Sequence, residues 1–355
     1  MKALIAMSGG VDSSVAALLT KEKGLECIGC TMKLYEAEDT DLEVCDSRTC
    51  CSLDDTEDAR SVARRLGMSF YVFNYKDEFR EKVMKKFASS YELGMTPNPC
   101  IDCNNYLKFG KLHERAQVLG CDYVVTGHYA RIEKDGDKFV LKKALDESKD
   151  QSYVLYGLTQ EKLAHTLFPL GELTKTEARA IAEKNGFVNA NKPDSQDICF
   201  VPDGDYAKVV EKITGNAPIP GSFVDKKGKV LGEHKGIINY TIGQRKGLGI
   251  AMGHPVFVCE ICPGDNCVVI GENEDLMKRE VSVSNFNWIS GDIPKEPVRC
   301  LAKTRYRMKE QPATAYALDD GKVRIVFDEP VRAITKGQSA VLYDGDTVLG
   351  GGEII

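Results

Sequence analysis

The chain has 355 residues, 43% hydrophobic and 28% charged, the balance of a water-soluble globular protein of two or three domains. No apolar run reaches the ~18 residues of a membrane span, and the start "MKALIAMSGG" lacks the apolar core and cleavage site of a signal peptide, so a cytoplasmic protein with no membrane partner is expected. Net charge is −6 and the 13 cysteines are odd in number; the first excludes a global pull toward nucleic acid, and the second argues against a disulfide framework and for metal or catalytic thiols.

Residues 2–7, "KALIAM", read as a short buried strand, followed by "SGGVDSS" at 8–14 and a helical run that stops at Gly24. Strand, Gly-rich turn and helix is a geometry for gripping phosphate. Gly9 and Gly10 let the backbone come close, and the N–H groups of the helix start point at an anion. Ser8, Ser13 and Ser14 offer hydroxyls, and Asp12 offers a ligand for magnesium. The spacing is neither the Walker loop nor GxGxxG. It resembles the PP-loop of ATP pyrophosphatases, which use ATP to adenylate a substrate and release pyrophosphate.

Further along, 25–35 reads as a strand, 54–67 as an amphipathic helix with acids in its first turn, and 68–75 as a strand. Residues 121–133 read as one more strand, ending in Gly127 and His128. Alternating strands and helices predict a parallel sheet with the ligand at the carboxyl ends of its strands. Residues 8–14, Met32 and Gly127 fall at such ends, and Met32 is placed to pack on an adenine.

Three CxxC pairs occur. Cys27/Cys30 and Cys259/Cys262 lie in strand-like text, where residues three apart point to opposite faces, so they read as small buried hydrophobes. Adjacent Cys50 and Cys51 receive no role. Cys100/Cys103, in "TPNPCIDCNN", stand at a loop-to-helix position that predicts exposed thiols, activated by the helix dipole. Zinc, redox, iron–sulfur and nucleophilic chemistry all use such a pair. Cys199 lies in a polar loop with Asp194, Ser195, Gln196 and Asp197, a setting that hints at chemistry.

From about residue 206 the helical pattern fades. "APIPGSF" (217–223) reads as a linker, 221–234 and 340–355 as hairpins, and 323–334 as alternating text around a proline turn. In "LAKTRYRMKEQ" (301–311), Lys303, Arg305, Arg307 and Lys309 share one parity, which on a strand gives a basic face able to track phosphates. "GQRKG" adds Arg245 and Lys246 on a Gly-flanked loop. The expected architecture is α/β: a PP-loop parallel-sheet domain (1–206), a small, mainly β central domain (207–278) and a C-terminal β-barrel (279–355).

Several segments together resemble the tRNA-specific 2-thiouridylase family, across essentially the whole chain: "SGGVDSS" (8–14), "CCSLDDTEDARSVARRLG" (50–67), "TPNPCIDCN" (96–104), "TGHYAR" (126–131), "KDQSYVLYGL" (149–158), "DSQDICF" (194–200) and "YTIGQRKGLGI" (240–250). The resemblance implies ATP-dependent adenylation of O2 of the wobble uridine of tRNA, then sulfur transfer. It implies that Ala6, Met7, Ser8, Gly9, Gly10, Val11, Asp12, Ser13, Met32 and Gly127 bind ATP, with Mg2+. It implies that Cys199 takes a persulfide from a relay protein or cysteine desulfurase, and that Cys103 closes a disulfide with it. His128, Lys149, Asp150, Gln151, Arg305, Tyr306 and Gln338 are implied tRNA contacts, Arg305 and Tyr306 suiting splayed bases and His128 a flipped uridine. The 191–206 loop is expected to be mobile and to fold on tRNA; no DNA partner is expected.

One departure from the family pattern matters. Many members carry Asp at the position of Cys100. Here three thiolates, Cys100, Cys103 and Cys199, could hold a [4Fe–4S] cluster with one open iron, in place of a persulfide pair with Cys100 as a bystander. Two other readings stay open: a PP-loop ligase acting on a small molecule, and a non-catalytic RNA- or metal-binding protein.

Overall fold

The computed structural model describes residues 1–36, 53–194, 198–201 and 203–355. Cys50, Cys51, Ser195, Gln196 and Asp197 lie outside the described residues. The first unit is built on a parallel sheet of order β3-β2-β1-β4-β7, with β1 Lys2–Ala6, β2 Glu26–Lys33, β3 Ser69–Asn74, β4 Tyr123–Val125 and β7 Thr166–Leu167. β1 sits inside the sheet, and its Ala3, Leu4 and Ile5 are fully buried, as strands covered on both faces require. Helices α1 (Val11–Glu22), α2 (Leu53–Arg65) and Lys175–Lys184 share one core with one face. The end of a long helix over 99–118 covers the other through Leu112 and Ala116.

Residues 121–133 do not form one strand. β4 ends at Val125, and the chain turns through Gly127 before starting β5 (Arg131–Asp135) in a different sheet. Gly127 makes this turn possible. A Cβ there would stand 2.8 Å from the backbone of Asp12 and Ser13, so only glycine lets the crossing strand approach α1 so closely.

β5 and β6 (Lys138–Lys142) form a hairpin that joins the C-terminal sheet. That sheet runs β12-β15-β14-β13-β16-β17-β6-β5, and β12 also pairs with β17, closing a barrel. Its strands are β12 Met277–Trp288, β13 Val298–Lys303, β14 Gln311–Ala317, β15 Val323–Arg332, β16 Ser339–Asp344 and β17 Thr347–Ile354. The expected proline turn in 323–334 is absent. β15 continues through Pro330, and its register with β12 breaks between Lys278 and Glu280, a stretch that does not need the proline's missing donor. Between the two units, β8 (Gly221–Val224), β9 (Val230–His234), β10 (Phe257–Cys262) and β11 (Cys267–Gly271) form the order β10-β11-β8-β9.

A shared core fastens the barrel to the first unit. Ile101, Phe109 and Tyr153 pack with Val341, Tyr343 and Val348. The Tyr153 hydroxyl donates to the Ser339 carbonyl at 2.7 Å. A second core gathers the helical segment 76–92, Cys103, Leu107, Phe200 and Val201. Phe200 is 1% exposed and meets the edges of Phe79 and Phe87 at 5.6 and 5.1 Å. The residue after Cys199 is thus an anchor, although its neighbourhood reads as polar in the sequence. Phe200→Ala leaves a cavity beside the Phe79 and Phe87 rings and is expected to cost about 3–5 kcal/mol, measured by urea unfolding.

Candidate functional site

The loop from β1 to α1 shapes the site. Gly9 has φ +75°, and a Cβ on it would meet the Asp55 carbonyl at 2.3 Å. Both conformation and space therefore demand glycine. Gly10 stands at the helix N-cap without a side-chain cap. The Ser13 and Ser14 hydroxyls instead donate to the Gly10 carbonyl at 3.0 and 3.1 Å, and the Ser8 N–H donates to Ser13 Oγ. Helix-start N–H groups have no intrahelical acceptor, so this end suits an anion.

A cleft of about 270 Å³ opens beside the loop at the carboxyl ends of β1, β2 and β4. Ala6, Met7, Ser8, Asp12, Ser13, Met32, Gly127, His128 and Gln151 line it, together with Thr31, Leu34, Lys108 and Thr126. Most of the expected nucleotide residues therefore converge. Gly9 and Gly10 form the turn itself, and Val11 is buried in the core behind it.

Asp12 is held from two sides. Lys175 Nζ lies 2.7 and 2.8 Å from its two carboxylate oxygens, and the Tyr129 hydroxyl donates to it at 2.9 Å. Lys175 is also 2.8 Å from Asp194, which in turn accepts from Lys149 and Arg179, each at 2.8 Å. Partial burial opposes ionisation of Asp194, but the ammonium groups of Lys149 and Lys175 outweigh it and hold its carboxyl down at about 2. Sequence reading missed Lys175. Its helix start is legible, since Thr174 and Glu177 form a capping box, but nothing local reveals that it points at Asp12.

His128 is buried, and burial, helped by Lys108, holds its pKa well below the usual histidine range. The ring is therefore neutral. Nδ1 lies 2.7 Å from Thr126 Oγ1, and Nε2 lies 3.5 Å from Lys108 Nζ. Gln151 Oε1 accepts from the Tyr129 N–H at 3.0 Å.

The remaining expected tRNA contacts lie along the seam between the first unit and the barrel. Asp150 accepts from Ala144 N and from both N and Oγ of Ser152, and the Tyr306 hydroxyl donates to the Asp150 carbonyl at 3.0 Å. Lys149–Gln151 and Tyr306 are thus neighbours. The Arg305 guanidinium donates to the Ala333 carbonyl. Gln338 donates to the Thr96 carbonyl at 2.7 Å, just ahead of the Cys100 segment. The basic stripe does not form as the sequence suggested. β13 ends at Lys303, residues 304–310 turn, and Lys303 folds back over the rings of Tyr153 and Tyr343. Arg307, Lys309, Arg245 and Lys246 remain exposed.

The thiols also differ from expectation. Pro99 opens the 99–118 helix, and the Asn98 side chain caps it by accepting from Cys100 N. Cys100 is exposed there, but Cys103, one turn on, is 9% exposed and packs in the aromatic core. Cys199 is half-buried against that same core, and its carbonyl accepts from the Tyr35 hydroxyl at 2.5 Å. Met32 and Leu34 belong to this core and to the cleft wall, so the core in which the two thiols pack borders the cleft. Cys30 is buried as expected, whereas Cys27, Cys259 and Cys262 are only half-buried.

Among the described residues, no three His, Cys, Asp or Glu side chains come together to hold a metal. Cys100, Cys103 and Cys199 are therefore not gathered as a set of three in this structure. Asp12, with Lys175 on both oxygens, does not fit a magnesium ion while that pair stands.

Family models match the chain in three consecutive parts: a tRNA methyl transferase HUP domain over residues 1–203, a tRNA methyl transferase PRC-barrel domain over 207–272 and an aminomethyltransferase beta-barrel domain over 278–354. The tRNA-specific 2-thiouridylase MnmA of Clostridioides difficile (strain 630) is 53% identical over 355 residues, covering 99% of this chain and 98% of that protein. The chain belongs to the tRNA-specific 2-thiouridylase (MnmA) family. A second member, from Acetivibrio thermocellus, is 50% identical and covers 99% of each chain. A third, from Clostridium botulinum (strain Alaska E43 / Type E3), is 51% identical over 353 residues, covering 99% of this chain and 97% of that protein. Among solved structures, a 4-thiouridine synthetase–RNA complex with bound ATP aligns with 60% of this chain and 51% of its own, at 17% identity and TM-score 0.36, a likeness too loose to bear on function. Among the described residues no helix is long and apolar enough to cross a membrane.

The Asp194 knot has a pH signature. Its carboxyl titrates lower in the folded chain than in the unfolded one, so its stabilisation is complete above about pH 4 and lost as pH falls toward about 2. Asp194→Asn is expected to remove roughly 2 kcal/mol at neutral pH and to flatten the acid limb of stability, read by denaturant titration across pH.

Proposed function

We propose that this chain thiolates the wobble uridine of tRNA at C2, using ATP to activate the base and a Cys199 persulfide to supply sulfur. What supports this most is one cleft that carries an anion-gripping loop on one wall and borders the core where Cys103 and Cys199 pack. Kinship with the 2-thiouridylases at about 50% identity points the same way.

ATP would lie with its phosphates at the start of α1 and its adenine against Met32. Uridine O2 attacks the α-phosphorus. The O2–P bond forms, the bond to the bridging oxygen breaks, pyrophosphate leaves with the electron pair, and the N3 proton passes to solvent. Carbon C2 then bears a good leaving group, the benefit of splitting one hard substitution into two steps.

A relay protein or cysteine desulfurase would load Cys199 with a sulfane sulfur. Its terminal sulfur attacks C2 and AMP departs. The Cys103 thiolate then attacks Cys199 Sγ, the S–S bond to the transferred sulfur breaks, and that sulfur stays on the base as the 2-thio group. The Cys103–Cys199 disulfide left behind needs an external dithiol to reset it. Lys149, Gln151, Arg305, Tyr306 and Gln338, with the exposed Arg245, Lys246 and Arg307, would hold the tRNA along the seam.

The test is mass spectrometry of the wobble nucleoside after incubation with unmodified tRNA, ATP and a persulfide donor. Cys199→Ser and Cys103→Ser are expected to abolish 2-thiouridine while tRNA-dependent pyrophosphate release continues. Cys100→Ser is expected to thiolate like the parent, with or without iron. Strict dependence on iron and Cys100 would overturn the persulfide route.

A further inference from the structure

The cleft holds one cation that the proposed reaction has not yet used. Lys108 is the only lysine or arginine among its described lining residues. No described carboxylate lies within ion-pair distance of it. Its polar partner is the Nε2 atom of His128, at 3.5 Å. An ammonium group has donors and no acceptor, so Nε2 receives the bond and the ring proton sits on Nδ1, donated to Thr126 Oγ1 at 2.7 Å. A neutral imidazole orients the ammonium group without cancelling its charge. Lys175, the other lysine near the loop, is by contrast paired with both Asp12 and Asp194.

Backbone geometry puts Lys108 in this place. The helix over 99–118 widens into a π-helix from Cys103 to Lys111. With i→i+5 bonding, side chains five apart lie closer together around the axis than in an α-helix, where they diverge widely. From these widened turns Cys103 packs in the aromatic core and Lys108 lines the cleft.

We propose that Lys108 is a further catalytic residue, whose ammonium group meets the negative charge that builds between uridine O2 and the α-phosphate as adenylation proceeds. Thr126 and His128 act as positioning residues, one fixing the ring and the other aiming the ammonium. This rests on the adenylation reading above. Lys108 neither gives nor takes a proton: the N3 proton goes to solvent and pyrophosphate keeps the electron pair. Its contribution is a preorganised charge, which counts most where the charge develops.

The experiment is single-turnover pyrophosphate release from ATP with saturating unmodified tRNA, for the parent, Lys108→Met, Lys108→Arg, and Lys108→Ala with added ethylammonium. Binding of tRNA is measured alongside, and circular dichroism checks the fold. Lys108→Met is expected to slow release by about 100-fold or more with tRNA affinity changed far less. Lys108→Arg and ethylammonium are each expected to recover part of the rate, which a merely structural role would not allow. A Lys108→Met rate near that of the parent, or a loss confined to tRNA or ATP affinity, overturns the proposal. So does failure of both Lys108→Arg and ethylammonium to recover any rate in folded protein. If the parent itself releases no pyrophosphate with tRNA, the adenylation reading fails instead, which this design tells apart.

Discussion

One ammonium group organises the site. Lys175 lies between Asp12 at the start of α1 and Asp194 on the segment leading to Cys199, and it is only 8% exposed. A buried lysine is tolerated only when its charge is matched, and here two carboxylates from distant parts of the chain match it. Asp194 carries the link onward to Lys149 and Arg179. The phosphate loop, the approach to the thiol and the seam with the barrel thus share one set of charges. Removing Lys175 would leave Asp12 and Asp194 without the ammonium they share, and such a network counts for more than isolated exposed ion pairs.

The glycine-turn side of the cleft and the aromatic core beside it have different physical origins. The first is polar and depends on two close backbone approaches, at Gly9 and Gly127. The second is an aromatic core in which Cys103 is a packed side chain and Cys199 is positioned by its neighbour Phe200. Met32 and Leu34 belong to both. An apolar core limits water around the thiols packed in it, and a helix start attracts anions.

Local signals carried much of this. Strand, glycine turn and helix were legible at residues 2–24 because the chemistry of that unit is contiguous, and the hairpins at 221–234 and 340–355 were legible from alternation and turn residues. What escaped were features set by partners far along the chain. Cys103 reads as exposed because Pro97, Pro99 and Asn98 signal a loop, yet its surroundings come from residues 76–92 and 200–210. The parity of 301–311 gives a basic face only if the strand continues, and it stops at Lys303. Lys108 and Lys175 are two among 47 basic residues, and only tertiary contacts distinguish them.

The β5–β6 hairpin belongs to the first unit by sequence and to the barrel by hydrogen bonding, through Thr347 and Lys142. Its sheet neighbour, β17, is the last strand of the chain. On the ribosome the hairpin therefore emerges long before its partner, with the outer edge of β6 unpaired. Lysines at both ends of that strand, Lys138 and Lys142, put like charges along the waiting edge, a feature that discourages pairing with another nascent chain. Completion of the barrel thus waits for β17, so a chain cut short before that strand would leave the barrel open even with the glycine loop after β1 intact.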